Sequence, residues 1–322
     1  MNRPGRSGLL DLEPAKSDFL SEVLAGLSNT PRSLPCKFFY DERGSELFQK
    51  ICELPEYYIT RTELAILRDK RREIADALGS GIELIGLGTG AGTKTRILLE
   101  QLDTPAVYVP IDISKEQLRK STAHFQKVFP NLEILPICAD YLEPFELPIP
   151  RRPSSRSVIY FPGSTIGNFE PAAATEFLHR LVELCGEGGG LLIGVDLQKD
   201  PKLIEAAYND SAGITAEFNL NLLARANREL HTDFDLPSWR HRAIYDPAKG
   251  RIEMNLVSQR DQTVHVADSE FHFQAGEKIV TEFSYKHTPE GFARLAHIAG
   301  FEFQKMWTDD AQLFGIFYLT VL

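Results

Sequence analysis

The 322-residue sequence predicts an α/β fold: a Rossmann-like, mostly parallel sheet ending in an antiparallel hairpin, plus a second α+β lobe. Three observations carry this expectation. Short apolar runs alternate with helical patterns between residues 82 and 195. A glycine-rich turn follows the first run. After Asp196 the rhythm breaks, and it resumes only at Thr288.

Residues 17 to 28 predict a helix capped by Ser17 or Asp18, with Phe19, Leu20, Val23, Leu24 and Leu27 on one face. Helices are also expected over 44 to 53 and 61 to 78. Between them Pro55 predicts an extended loop over Leu54 to Thr60. The apolar runs are Ile82–Leu87, Ala106–Ile111, Leu132–Cys138, Val158–Phe161 and Leu191–Val195, with helical patterns at 93 to 102, 114 to 128 and 171 to 185. Apolar strands alternating with helices read as a parallel sheet covered on both faces. Residues 200 to 228 read as helical with many polar side chains, and 239 to 285 as strands. Thr288 and Pro289 open a last helix and Gly300 closes it. Two strands follow, Phe301–Trp307 and Phe314–Leu322, turning at Asp309-Asp310. Such a hairpin on an otherwise parallel sheet is the habit of class I methyltransferases.

Net charge is −10, which argues against general affinity for nucleic acid or an anionic membrane. No apolar run approaches the roughly 20 residues that span a bilayer. No long apolar segment follows Met1 to Gly8, so no signal peptide is read and a cytoplasmic location is expected. Cys36, Cys52, Cys138 and Cys185 form no CxxC pair and are expected to be reduced, buried thiols. The eight histidines lack metal-ligand spacing, and no metal is expected. The chain is expected to be a monomer.

The first strand runs into Gly86-Leu87-Gly88-Thr89-Gly90-Ala91-Gly92-Thr93-Lys94-Thr95. Four glycines at alternate positions let a ligand approach the backbone, at the start of a helix. A P-loop fails because Thr93 stands where it needs glycine. Gly86, Gly88 and Ala91 satisfy the dinucleotide pattern, with Asp112 placed 24 residues beyond Gly88 as a ribose acid. An S-adenosylmethionine site uses the same parts, and Asp140 with Tyr141 adds an adenine contact after the third strand. The terminal hairpin favours the methyl donor over NAD.

Longer motifs narrow the reading. Leu54-Pro55-Glu56-Tyr57-Tyr58-Ile59-Thr60-Arg61-Thr62-Glu63, Phe39-Tyr40-Asp41 with Gly44-Ser45, Gly163-Ser164-Thr165-Ile166-Gly167-Asn168 and Thr281-Glu282-Phe283-Ser284 resemble the histidine-specific methyltransferases of ergothioneine biosynthesis. The resemblance covers about residue 15 to the C-terminus. One departure stands out: where the family pattern carries Glu-Leu-Gly-Ser-Gly, the glutamate position is Gly86.

The resemblance implies a methyltransferase domain over 62–198 and 288–322, and a substrate-binding domain over 9–61 and 199–287. It implies S-adenosyl-L-methionine as cofactor, held by Tyr40, Gly88, Lys94, Asp112, Asp140 and Tyr141. It implies L-histidine as substrate, its carboxylate on Asn168 and Tyr208, its amine facing Tyr57 as the catalytic phenol. Glu282 and Ser284, two apart in a strand, share a face with Val280 and would clamp the imidazole. Ile279, Thr281, Phe283 and Tyr285 would take the other face. Met254 would line the pocket, with Phe48 and Thr215 as weaker candidates. Three transfers would give the trimethyl betaine hercynine. The alternatives are a related methyltransferase for tryptophan derivatives or tyrosine, an NAD-dependent oxidoreductase, and a non-catalytic binding homologue.

Overall fold

A computed structural model describes residues 9–12 and 19–322. In chain order its elements are β1 (Leu10–Asp11), α1 (Phe19–Ser28), α2 (Glu42–Glu53), α3 (Tyr58–Leu78), β2 (Glu83–Leu87), α4 (Thr93–Leu99), β3 (Val107–Asp112), α5 (Lys115–Val128), β4 (Glu133–Ile134), β5 (Ile137–Cys138), β6 (Ser157–Phe161), α6 (Pro171–Cys185) and β7 (Gly190–Asp196). Then come α7 (Pro201–Tyr208), α8 (Ile214–Leu230), β8 (Trp239–Asp246), β9 (Arg251–Ser258), β10 (Gln262–Val266), β11 (Ser269–Phe273), β12 (Lys278–Tyr285), α9 (Pro289–Ile298), β13 (Phe301–Thr308) and β14 (Phe314–Val321). The chain divides into two compact units, Met1–Ala15 with Thr62–Leu197 and His287–Leu322, and Lys16–Arg61 with Gln198–Lys286.

The first unit is a sheet in the order β1-β5-β3-β2-β6-β7-β14-β13, with β4 beside β3. β2, β3, β5, β6 and β7 run parallel. β14 is antiparallel to both β7 and β13. β2 and β7 are buried along their whole length, as strands covered on both faces must be. Ile85, Val109, Ile159, Ile193 and Phe317 form the core with Phe177, Leu178 and Leu181 of α6 and Phe292 of α9. Pro171 opens α6 at its first position, where its missing N–H costs nothing. The Thr288 hydroxyl caps α9 by accepting from the Gly291 N–H.

In the second unit β12, β9 and β8 form an antiparallel sheet, and β10 and β11 pair separately. The Asp41 carboxylate caps α2, accepting from Gly44 N (2.7 Å) and from Asn221 Nδ2 of α8 (2.8 Å). A Cβ on Gly44 would fall 1.6 Å from the Phe39 carbonyl oxygen, so this corner requires glycine.

Five sequence expectations change. The stretch 54–60 is not extended throughout, because Tyr58, Ile59 and Thr60 form the first turn of α3; Pro55 stops α2 but lies too early to block the next helix. The run Leu132–Cys138 splits into β4 and β5 around Leu135-Pro136, where proline lacks a ladder donor. The 200–228 pattern is two helices: Asn209 ends α7, and Asp210 opens α8 by accepting from Ile214 N and Thr215 N, both at 2.8 Å. In β12 a bulge between Val280 and Glu282 removes one residue from the alternation. Val280 therefore pairs with Asn255 while Glu282 pairs with Met254 and Ser284 with Ile252. Ile279, not Val280, shares the Glu282 face. Of the thiols, Cys138 and Cys185 are buried while Cys36 and Cys52 are only half-buried. The proposed caps Ser17 and Asp18 lie outside the described residues.

Candidate functional site

In the first unit the glycine loop leaves β2 with Gly88, Gly90 and Gly92 all at positive φ (60°, 50° and 76°). Gly88 faces the Tyr141 ring, whose nearest atom lies 3.6 Å from where a Cβ would stand, and nothing lies within 4 Å of that position on Gly90. The loop therefore presents bare backbone to an incoming ligand. The Asp112 carboxylate ties this loop to β3, accepting from Gly90 N (3.0 Å) and Ser114 N (2.9 Å). Burial raises the Asp112 carboxyl above its ordinary value against these bonds. A carboxylate has about four acceptor sites, so capacity remains for a ribose diol. Asp140 holds its own turn by accepting from Leu142 N (2.9 Å). Tyr141 meets Phe161 edge-on and Phe177 at a tilt, at centroid distances of 5.6 and 5.9 Å. These residues fit S-adenosylmethionine: open glycine backbone, a half-buried acid at the second strand end and an aromatic wall.

Gly92 is the least replaceable loop residue. Its φ is left-handed and a Cβ would fall 2.4 Å from the Phe125 ring. Gly92→Ala is expected to cost about 2–4 kcal/mol, from strain plus overpacking, and to weaken donor binding. A thermal melt with a calorimetric titration of S-adenosylmethionine checks this; an unchanged melt would show that the ring simply moves aside.

At Gly86 a Cβ would stand 3.3 Å from the Tyr108 hydroxyl and 2.6 Å from the Thr89 methyl. The space of the family glutamate is thus filled by Tyr108 and Thr89.

Lys94 is held by a group not singled out from sequence. Its ammonium donates to Glu63 Oε2 at 2.5 Å. The fully buried Glu63 carboxylate also accepts from Gly163 N (3.0 Å) and the Tyr160 hydroxyl (3.3 Å). Gly194 of β7 makes room for it, since a Cβ there would lie 2.8 Å from Glu63 Oε1. Gly163 and Ser164 turn left-handed after β6, and Asn168 ends the following 3-10 turn, Thr165–Asn168. Asn168 thus lies in the first unit, beyond the carboxyl end of β6.

The second unit contains a small pocket, open to solvent on one side, lined by Tyr40, Phe48, Ile51, Tyr57, Ala207, Tyr208, Thr215, Phe218, Met254 and Glu282. Neighbouring rings meet mostly edge-on: Tyr40 to Phe48 at 5.6 Å, Phe48 to Tyr57 at 6.3 Å and Tyr57 to Tyr208 at 6.3 Å. A cage of aromatic rings with one carboxylate suits a ligand carrying positive charge or N–H donors. Burial raises the Tyr57 phenol well above its usual range, with the Tyr208 phenol adding to it. Tyr57 therefore stays neutral and acts through its hydrogen bond and its ring. Burial likewise pushes Glu282 up to about 7, against the opposing pull of the Lys286 ammonium.

Tyr208 is fixed by its neighbours. Asn209 pairs with Ala243 of β8 through both its amide groups (3.0 and 3.1 Å). His241 Nε2 meets the Tyr208 carbonyl at 2.8 Å, and its Nδ1 meets Asn219 Nδ2 at 2.9 Å. Since Asn219 Nδ2 can only donate, the His241 proton sits on Nε2. The Tyr208 hydroxyl meets Ser284 Oγ at 2.8 Å, and Lys286 Nζ donates to both oxygens. Ser284 thus lies behind Tyr208, not in the pocket wall itself. Tyr40, expected at the cofactor, lies in this unit among the aromatic rings.

Among the described residues no group of three His, Cys, Asp or Glu side chains could hold a metal ion, and no helix is long and apolar enough to cross a membrane.

A parallel sheet closed by an antiparallel β14, with a glycine loop after β2 and an acid ending β3, defines the class I S-adenosylmethionine-dependent methyltransferases. Relatives narrow the class. The chain belongs to the family described as histidine-specific methyltransferase, SAM-dependent, which it matches over residues 19–321. It is 42% identical over 301 residues to a histidine N-alpha-methyltransferase of Mycolicibacterium smegmatis, covering 92% of each chain. A protein of the same name from Mycobacterium tuberculosis is 41% identical over 300 residues, again covering 92% of each. Ergothioneine biosynthesis protein 1 of Neurospora crassa is 34% identical over 285 residues, which span 86% of this chain and 32% of that one.

Proposed function

We propose that this enzyme methylates the α-amino nitrogen of L-histidine three times, giving hercynine as the first step of ergothioneine biosynthesis. The observation that carries the reading is the caged Glu282, a carboxylate among five aromatic rings and Met254. An imidazole N–H satisfies such a carboxylate, whereas a side chain without a donor, such as that of phenylalanine, would leave it buried and unpaired. The names of the relatives support the same substrate and pathway.

S-adenosylmethionine supplies a methyl group already activated by its sulfonium charge. Gly88, Gly90, Asp112, Asp140 and Tyr141 would hold it, with Lys94 braced by Glu63. Tyr208 takes the substrate carboxylate, and Glu282 takes the ring. Tyr57 accepts a hydrogen bond from the amine and so orients its lone pair; its proton leaves to water, and no strong base is required. Positioning of this kind supplies about 7–11 kcal/mol in well-oriented systems. After the third transfer the aromatic faces meet a quaternary ammonium.

Mass spectrometry after incubation with L-histidine and S-adenosylmethionine tests the reading. Successive mono-, di- and trimethyl products are expected, with tryptophan and tyrosine unreacted. Turnover of tryptophan in preference to histidine would overturn it.

A further inference from the structure

Strand β12 carries the acid of the pocket, and carries it just after a bulge. Before the bulge the strand is pinned on both edges. Val280 stands opposite Asn255 of β9. On its other edge the Val280 N–H donates to the Arg32 carbonyl and its carbonyl accepts from the Leu34 N–H, both at 2.9 Å. After the bulge the strand is held again. Glu282 stands opposite Met254, Phe283 opposite Glu253 and Tyr285 opposite Arg251. The Arg251 guanidinium lies 3.6 Å from the centroid of the Phe283 ring and donates to the Tyr285 hydroxyl. Within β12 only Thr281 has no β9 residue opposite it, so Thr281 absorbs the extra length.

Thr281 does not line the pocket. It is 2% exposed, and its hydroxyl donates to the Met254 carbonyl at 3.1 Å. Met254 is the residue that faces Glu282 across the ladder, and both line the pocket. The hydroxyl therefore ties the bulge to β9 at the point where Glu282 leaves the strand.

The register shows what the bulge prevents. A regular ladder continued from Val280 and Asn255 would set Thr281 opposite Met254 and Glu282 opposite Glu253. Opposed residues share a face of the sheet, so Thr281 would take the place of Glu282 at the pocket. Two carboxylates would also stand directly opposite each other, which is unfavourable. That repulsion disfavours the slip whether or not Thr281 keeps its hydroxyl. The hydroxyl adds the fixed geometry of the bulge itself.

We propose that Thr281 is a positioning residue whose hydroxyl, bound to the Met254 carbonyl, locks the bulge and so aims Glu282 at the substrate ring. The proposal rests on the reading that this pocket takes L-histidine through Glu282.

Thr281→Val keeps the shape and removes the hydroxyl, and Thr281→Ser keeps the hydroxyl and loses a methyl group. The pinned ladder on either side lets Thr281→Val fold, which a circular dichroism melt checks. Should it fail to fold, Thr281→Ala removes the hydroxyl without setting a methyl group against the Met254 carbonyl. Calorimetric titration and steady-state kinetics are expected to show Kd and KM for L-histidine raised about fivefold to tenfold, on the order of one lost hydrogen bond. The change in kcat should be smaller than that in KM, the Kd for S-adenosylmethionine should stay within about twofold, and Thr281→Ser should restore most of the histidine affinity. A double-mutant cycle separates aiming from general support. In a Glu282→Ala background no carboxylate remains to be aimed, and Thr281→Val should change histidine binding by less than about twofold. An equal loss in both backgrounds would overturn the proposal, as would an equal weakening of S-adenosylmethionine or no loss at all. Failure of the wild-type protein to bind L-histidine would instead remove the underlying substrate reading, and the proposal with it.

Discussion

Glu282→Gln is expected to raise the dissociation constant for L-histidine at least a hundredfold while leaving that for S-adenosylmethionine within twofold. A site built to hydrogen-bond a polar substrate loses most when its own charged acceptor is replaced, and the donor residues Gly88, Asp112 and Asp140 belong to the other unit. Calorimetric titration with each ligand measures both values, and equal weakening of the two would show that Glu282 is not the imidazole acceptor. The same substitution has a second, opposite effect. Burial raises Glu282 from 4.5 to about 7, so between those values the folded protein holds a proton that the unfolded chain has released. Its contribution to stability is complete below about 4.5 and is lost as pH rises through about 7. The difference amounts to about 3 kcal/mol at most. Glu282→Gln should therefore melt higher than the wild type at pH 8 and no higher at pH 4.5. A lower melting temperature at pH 8 would contradict the burial argument.

Glu63→Ala is expected to be the most destabilising single change in the first unit. It would leave the Lys94 ammonium, the Gly163 N–H and the Tyr160 hydroxyl without their shared acceptor. Breaking a buried, hydrogen-bonded ion pair by removing one partner costs about 3–5 kcal/mol, which for a chain of this size lowers Tm by on the order of 10 °C. A calorimetric scan checks it. If Glu63→Ala melts within about 2 °C of the wild type, solvent reaches this carboxylate and the network does not brace the donor loop.

Much of the sheet was legible because its strands are apolar on both faces and end at glycines or acids. The motif residues were legible for a different reason: Tyr57, Glu282 and Asn168 lie in long, specific segments, whereas each alone is an ordinary surface residue type. The face assignment in β12 failed because strict alternation assumes a regular ladder, and the bulge at Thr281 leaves no mark that periodicity alone can read. Glu63 did leave a mark. It sits at helical spacing from Ile59, Ile66 and Leu67, all buried, and a charge on an apolar stripe calls for a partner. Lys286 continues the alternation Glu282, Ser284, Lys286, a polar row that a solvent-facing strand would show equally well. Only its burial separates the two cases. The split of the 200–228 helix hinged on Asp210, whose capping role is visible only once its carboxylate is seen on Ile214 and Thr215.

The polypeptide leaves the sheet after Leu197 and returns at His287, and those two residues pair with each other, the His287 N–H donating to the Asp196 carbonyl at 3.1 Å. An excursion of nearly ninety residues thus begins and ends at one spot. Closing so narrow a mouth costs nearly the same whatever the length of chain inside it. Evolution, or an engineer, can therefore change the length and contents of that excursion while the strands on either side of the splice keep their pairing, so long as the new segment still packs on α2 and its Asp41 cap.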